Sequence, residues 1–164
     1  RGLGDVYKRQ RGDSHAMVKE DVAYATCKEE VENILADFRN RDIPVAVINE
    51  HLQGDLVKFY GVHGTDFFYW FYPSPCSHSK FGLEKINGIA KGIPFSVEEL
   101  KIQSDKAAEA LNVPIYGGDC VVSADGTLRI IDFNDWPSFA RCREEAGGKI
   151  AECIYNRAKK QMKQ

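Results

Sequence analysis

The chain has 164 residues, a hydrophobic share of 43%, a charged share of 28% and a net charge of −2, the make-up of one globular domain able to bury its own core. That charge excludes a bulk electrostatic pull toward nucleic acid or a membrane surface, and no apolar run approaches the roughly 18 residues of a membrane span. Five scattered cysteines (Cys27, Cys76, Cys120, Cys142 and Cys153), with no C-x-x-C pair, argue against a disulfide framework or a zinc site and for a reducing, cytoplasmic compartment.

Residues 1–10 contain Asp5-Val6-Tyr7-Lys8-Arg9-Gln10, which resembles a translated transposon-end adapter from library preparation. They are set aside from the fold reading, and the natural sequence is expected to begin near Arg11, inside a domain. No secretory signal is visible. A strand is expected within Met17–Ala25. Glu29–Asn40 carries Val31, Ile34, Leu35 and Phe38 at helical spacing, so one face of a helix is buried. After Ile43-Pro44 the apolar run Val45–Ile48 reads as a buried strand. Leu56–Val62 and Phe67–Tyr72 flank His63-Gly64-Thr65-Asp66, a hairpin pattern. Pro73–Lys80 is a Pro/Ser loop.

Ser96 and Glu99 have capping-box spacing, which starts a helix to about Asn112 with Leu100, Ala107, Ala108 and Leu111 buried. Ile115–Ser123 and Leu128–Phe133 are strands joined by Ala124-Asp125-Gly126-Thr127, where Asp-Gly signals a hairpin. A last helix spans Cys142–Lys160. The order strand, helix, strand, hairpin, helix, hairpin, helix predicts an α+β fold with a mainly antiparallel sheet and flanking helices.

The chemistry concentrates in Gly117-Gly118-Asp119 and Ile131-Asp132-Phe133-Asn134. Asp132 and Asn134, two apart on a strand, share a face with Cα atoms roughly 6–7 Å apart, and Asp119 on the partner strand can face them. Two carboxylates and an amide oxygen suit the hard-oxygen preference of Mg²⁺; without a cation the carboxylates would repel. Equally, Asp132 and Asn134 could end a strand before Trp136-Pro137, and Asp119 could be an ordinary hairpin residue. Ile130 and Ile131 lead in as buried residues.

The hydrophobic strand, D-x-N and following Pro resemble the closing motif of ATP-grasp enzymes. In that family an acid on one strand, with an acid and Asn on the next, binds the metals. The resemblance assigns those roles to Asp119, Asp132 and Asn134, with ATP and Mg²⁺ or Mn²⁺ as cofactors. Val47–Asp55 followed by Val57-Lys58-Phe59-Tyr60 resembles the family's hinge. It implies adenine contacts at Glu50 and Leu52, a ribose contact at Asp55 and a phosphate contact at Lys58; as a bare pattern, Lys58 reads as a solvent-facing hairpin residue. Gly12-Asp13-Ser14-His15-Ala16-Met17 is similar to a phosphate loop of inositol trisphosphate kinases, an ATP-grasp subgroup, and implicates His15; a plain turn is the alternative. His63 and His78 read as loop residues, and His51 as a hinge residue.

The resemblance covers about residues 11–155. It divides the chain into an adapter-derived 1–10, a remnant of the N-terminal lobe and hinge at 11–50, and a C-terminal lobe at 51–160. Ser138 stands where many members have Gly. The early-strand lysine that binds phosphate is missing, and so is the N-terminal substrate domain. The implied activity is ligation: phosphorylation of a carboxylate, then attack on the acyl-phosphate by an amine. An inositol-phosphate-type kinase and a non-catalytic nucleotide-binding module are the alternatives. The partner is a small-molecule acceptor, with no nucleic acid and no membrane. The chain by itself is expected to hold Mg–ATP weakly and not to turn over.

Overall fold

The computed structural model describes residues 5–8, 22–73 and 88–163. The chain divides into two compact units, with the break between Leu52 and Gln53.

In the first unit β1 (Asp5–Lys8) lies between β2 (Val22–Ala25) and β3 (Val47–Glu50), antiparallel to both. Asp5–Lys8 belongs to the adapter-like segment. A Val-Tyr core is enough to complete a ladder between two four-residue strands whatever its origin, because pairing asks for β-propensity and backbone donors rather than a particular sequence. Helix α1 (Lys28–Asn40) buries Phe38 and partly covers Val31, Ile34 and Leu35, as its spacing predicts. Glu30 ties down the entry to α1 by accepting from the backbone N–H and hydroxyl of Thr26 at 2.6 and 3.0 Å. Met17–Asp21, part of the expected first strand, lies outside the described residues.

The second unit is a four-stranded antiparallel sheet in the order β5-β4-β6-β7, built from β4 (Asp55–Val62), β5 (Phe68–Phe71), β6 (Ile115–Val122) and β7 (Leu128–Asp135). Gly64 and Gly126, both near φ +80°, form the hairpin turns; only glycine enters that region without a steric cost. Alternate residues sort the sheet into two faces. Val57, Phe59, Tyr116, Cys120 and Val122 pack against Leu100 and Ala108 of α2 (Val97–Leu111). On the other face Val62 and Ile115 pack against Cys142, Ala146 and Cys153 at the start and along α3 (Arg143–Gln161). The Ser96 side chain accepts from Glu99 N–H at 3.1 Å, the cap the sequence predicts.

Three burial expectations change here. Val45–Ile48, expected as a buried strand, has Val45 69% and Ile48 52% exposed, and the strand runs Val47–Glu50 instead. Leu111 is 59% exposed because α2 ends there; the chain turns left-handed at Asn112, and Val113 fills the core position instead. Ala107 is only partly covered, while Ser104, one turn from Leu100 and one from Ala108, is fully buried.

Candidate functional site

The sheet face that α3 covers at one end is open at the other. Register places Phe71 of β5, Lys58 of β4, Asp119 of β6 and Asp132 of β7 in one row across all four strands. Lys58 and Tyr60, two apart on β4, share that face.

A β-bulge brings β7 into the row. Asp119 pairs with Asp132 but Cys120 pairs with Ile130, so Ile131 is an extra residue. A bulge shifts the alternation of the strand by one. Leu128 and Ile130 before it, and Phe133 after it, pack on the α2 side, while Asp132 and Asn134 are directed to the open face. Ile131 is 54% exposed, correcting the expectation that it is buried beside Ile130. An unbulged strand would put Asp132 on the same side as Ile130, inside the core.

The two glycines before Asp119 allow close approach. A Cβ on Gly118 would run into the Asp132 carbonyl and come within 2.8 Å of the Phe59 ring. A Cβ on Gly117 would meet Tyr60 at 2.6 Å and Pro137 at 2.7 Å. The result is a depression of about 130 Å³ lined by Lys58, Tyr60, Gly117, Gly118, Asp119, Asp132, Asn134 and Pro137. That is below the roughly 300–1,000 Å³ of a complete small-molecule pocket and suits a phosphate group rather than a whole nucleotide.

Inside it, Lys58 Nζ donates to both carboxylate oxygens of Asp119 at 2.8 and 3.0 Å. Asn134 Nδ2 donates to Asp132 Oδ2 at 2.7 Å. The Lys58 and Asp119 side chains remain 33% and 24% accessible, so each can change partner without unfolding anything. Beyond the strand end Trp136 adopts φ +46°, an unusual conformation for a bulky residue, and its N–H donates to Ile115 O at 2.9 Å. This closes the ladder and sets Pro137 against the depression.

Of the residues singled out from sequence, Lys58, Asp119, Asp132 and Asn134 meet at this one place. Asp55 does not join them. It is 3% exposed, and its two oxygens accept the backbone N–H groups of Lys91 and Ile93 at 2.8 Å each. Burial alone would raise its pKa, but the N–H groups of Ile93, Lys91 and Gly92 and the charge of Lys91 outweigh it and hold the carboxyl below its ordinary value. Glu50 ends β3, and Leu52 follows in the first unit. His51 packs edge-on against Tyr24 at 5.2 Å. His15 lies outside the described residues, as does His78. Tyr60 and Pro137 went unrecognised as lining residues, although the two-residue step from Lys58 to Tyr60 was readable.

Among the described residues no group of three or more His, Cys, Asp or Glu side chains could hold a metal; the candidate set has two carboxylates and an amide. Cys27, Cys120, Cys142 and Cys153 carry free thiols. No helix among the described residues is long and apolar enough to cross a membrane.

No protein-family model matches the chain, and no curated protein does. Among solved structures it is similar to the ATP-grasp ligase PsnB complexed with precursor peptide PsnA2 and AMPPNP, with a TM-score of 0.51 and 17% identity, over 92% of this chain and 47% of that one. PsnB complexed with a minimal precursor aligns with a TM-score of 0.48 and 19% identity, over 85% and 42%. The chain thus spans about half the length of the structures it matches. Together with the antiparallel four-stranded sheet and its helices, the first of these likenesses identifies the fold as ATP-grasp-like.

Proposed function

We propose that this chain carries the metal- and phosphate-binding half of an ATP-dependent ligase. The observation that supports it most is the convergence of Lys58, Asp119, Asp132 and Asn134 on one depression of an ATP-grasp-like sheet. PsnB, a ligase, was solved with AMPPNP, which favours a nucleotide as the ligand.

The donor set fits Mg²⁺ or Mn²⁺. Two carboxylates and an amide oxygen are hard donors, and Mg²⁺ takes one or two protein carboxylates and leaves its other positions to water and phosphate. Asp119, Asp132 and Asn134 would hold it, with Asn134 rotated to present its oxygen. When bound, the metal supplies charge neutralisation for the phosphates.

Lys58 and Asp119 satisfy each other. A phosphate entering the depression gives Lys58 a second anion, so its ammonium can turn outward and leave the Asp119 oxygens to a cation. A phosphate that arrives together with its cation leaves neither Lys58 nor Asp119 without an opposite charge, which keeps the exchange inexpensive. A carboxylate oxygen of the acceptor then attacks the γ-phosphorus. The P–O bond to ADP breaks, and the product is an acyl-phosphate. An amine attacks its carbonyl carbon, loses a proton, and expels phosphate. Lys58 offsets the charge on the transferring group, and Tyr60 and Pro137 wall the depression against water. Glu50 and Leu52 remain the proposed adenine contacts and His15 a phosphate contact. Asp55, in contrast, is proposed to anchor the 91–93 segment. The free thiols fit a reducing, cytoplasmic setting.

The test is ADP formation from Mg–ATP by the longest natural form of the protein that carries this chain. One arm offers carboxylate–amine mixtures, including precursor-like peptides such as PsnB binds, and the other offers inositol phosphates. Acceptor-dependent ADP in the first arm, abolished by Asp132→Asn, is the expected result. ADP in the second arm alone would make the protein a kinase. Nucleotide binding without ADP in either arm would make it a binding module.

A further inference from the structure

Beside the metal-facing depression lies a second, unassigned cation. The guanidinium of Arg141 sits 4.2 Å above the ring of Phe71. Phe71 is the β5 partner of Lys58, so Arg141 caps the end of the cross-strand row farthest from Asp132. The ring beneath it is held in an aromatic wall: Tyr60 lies 5.9 Å from Phe71 and 5.4 Å from Phe139, and Tyr69 lies 5.9 Å from Phe71. Tyr60 itself lines the depression, so this wall is continuous with it. Lys58, Asp119 and Arg141 all act electrostatically on the Tyr60 hydroxyl, and burial, the strongest influence on it, raises its pKa.

The two cations differ. Asp119 neutralises Lys58, whereas Arg141 has no carboxylate partner among the described residues, only the face of Phe71. Stacking fixes the plane of a guanidinium while leaving its N–H edge free, and that edge matches a carboxylate in two parallel hydrogen bonds.

We propose that Arg141, stacked on Phe71 next to Tyr60, is a carboxylate subsite that holds the acceptor beside the phosphate depression. The inference rests on the ligase reading of that depression. It places the acceptor's anionic group at the β5 end of the row and the metal ligands at the β7 end, with Lys58 between them where phosphate would lie.

The experiment titrates a tetraglutamate peptide, and its tetraglutamine counterpart, into the ¹⁵N-labelled chain, following the Arg141 Nε–H resonance and the backbone spectrum. Tetraglutamate is expected to shift the Arg141 resonance and to bind roughly tenfold or more tighter than tetraglutamine, the scale of one charge-assisted contact. Arg141→Ala should erase that preference, and Arg141→Lys should restore only part of it, since lysine keeps the charge but not the fork. Lys160→Ala serves as the control, because it lies in a separate basic hollow of about 510 Å³ with Arg157 and Lys163; it should change nothing. Equal affinity for the two peptides, an unchanged preference in Arg141→Ala, or loss of binding in Lys160→Ala alone would overturn the subsite. Binding of Mn²⁺·AMPPNP is measured separately. Its failure would remove the ligase reading while leaving an Arg141-dependent glutamate preference intact, so the two claims fail by different results.

Discussion

Replacing Asp55 separates a structural carboxylate from a ligand-binding one. Its oxygens accept two backbone N–H groups at 2.8 Å, and the side chain is almost wholly covered. Hydrogen bonds to a charged group contribute about 1.5–3 kcal/mol each, so two set a ceiling near 6 kcal/mol. Removing the carboxylate also relieves its own desolvation, which leaves about 3 kcal/mol as the expected loss for Asp55→Ala. Asp55→Asn should be nearly as harmful, because its amide NH₂ would face a backbone N–H. Urea unfolding followed by Trp70 fluorescence reads this directly, since Trp70 packs edge-on against Phe95 at 5.0 Å, just beyond the anchored segment. The pH dependence has a definite sign. The folded pKa is lowered, so this stabilisation is present above the unfolded carboxyl value of about 3.9 and fades as pH falls through the lower folded one. A loss below about 0.5 kcal/mol in Asp55→Ala, with nucleotide affinity reduced instead, would refute the anchoring role and restore the ribose contact.

Gly118→Ala should destabilise the second unit by about 1–3 kcal/mol, the usual cost of overpacking, because its Cβ would press on the Asp132 backbone; thermal unfolding measures it. Lys58→Met should change stability by less than about 1 kcal/mol, as expected for a partly exposed ion pair, yet lower ADP formation by the proposed enzyme by roughly 10²–10³-fold. The Cys120 thiol is pushed up to about 11, mainly by burial, with Asp119 adding to the effect. Cys27 is exposed and should therefore be alkylated at pH 8 far faster than Cys120, read by peptide mass spectrometry.

Much of the second unit was legible because its local rules agree. Asp125-Gly126 specified a hairpin, Ser96-x-x-Glu99 a helix start, and Asp132-x-Asn134 a shared face. The bulge was not legible. Ile130-Ile131-Asp132 reads as a regular strand, and only the register against Asp119-Cys120 reveals that Ile131 is extra. The bonds Asp55 makes to Lys91 and Ile93 were not legible, because a polar residue after a hinge-like run carries no mark of the backbone, nearly forty residues on, that it meets. Leu111 was misplaced because helical periodicity says which side a residue faces but not where its cover stops. Arg141 carried no signal: stacking on Phe71 joins a loop to a strand far away in sequence.

The central claim is that Asp119, Asp132 and Asn134 gather a metal–phosphate group beside Lys58. Paramagnetic broadening by Mn²⁺·AMPPNP tests it at the residues themselves and tolerates weak binding. At substoichiometric Mn²⁺ the backbone amides of Gly117–Asp119 and Asp132–Asn134 should broaden first, and Asp132→Asn, which keeps the shape and removes one charge, should abolish the effect. Broadening centred elsewhere, or the same pattern in Asp132→Asn, would contradict the assignment.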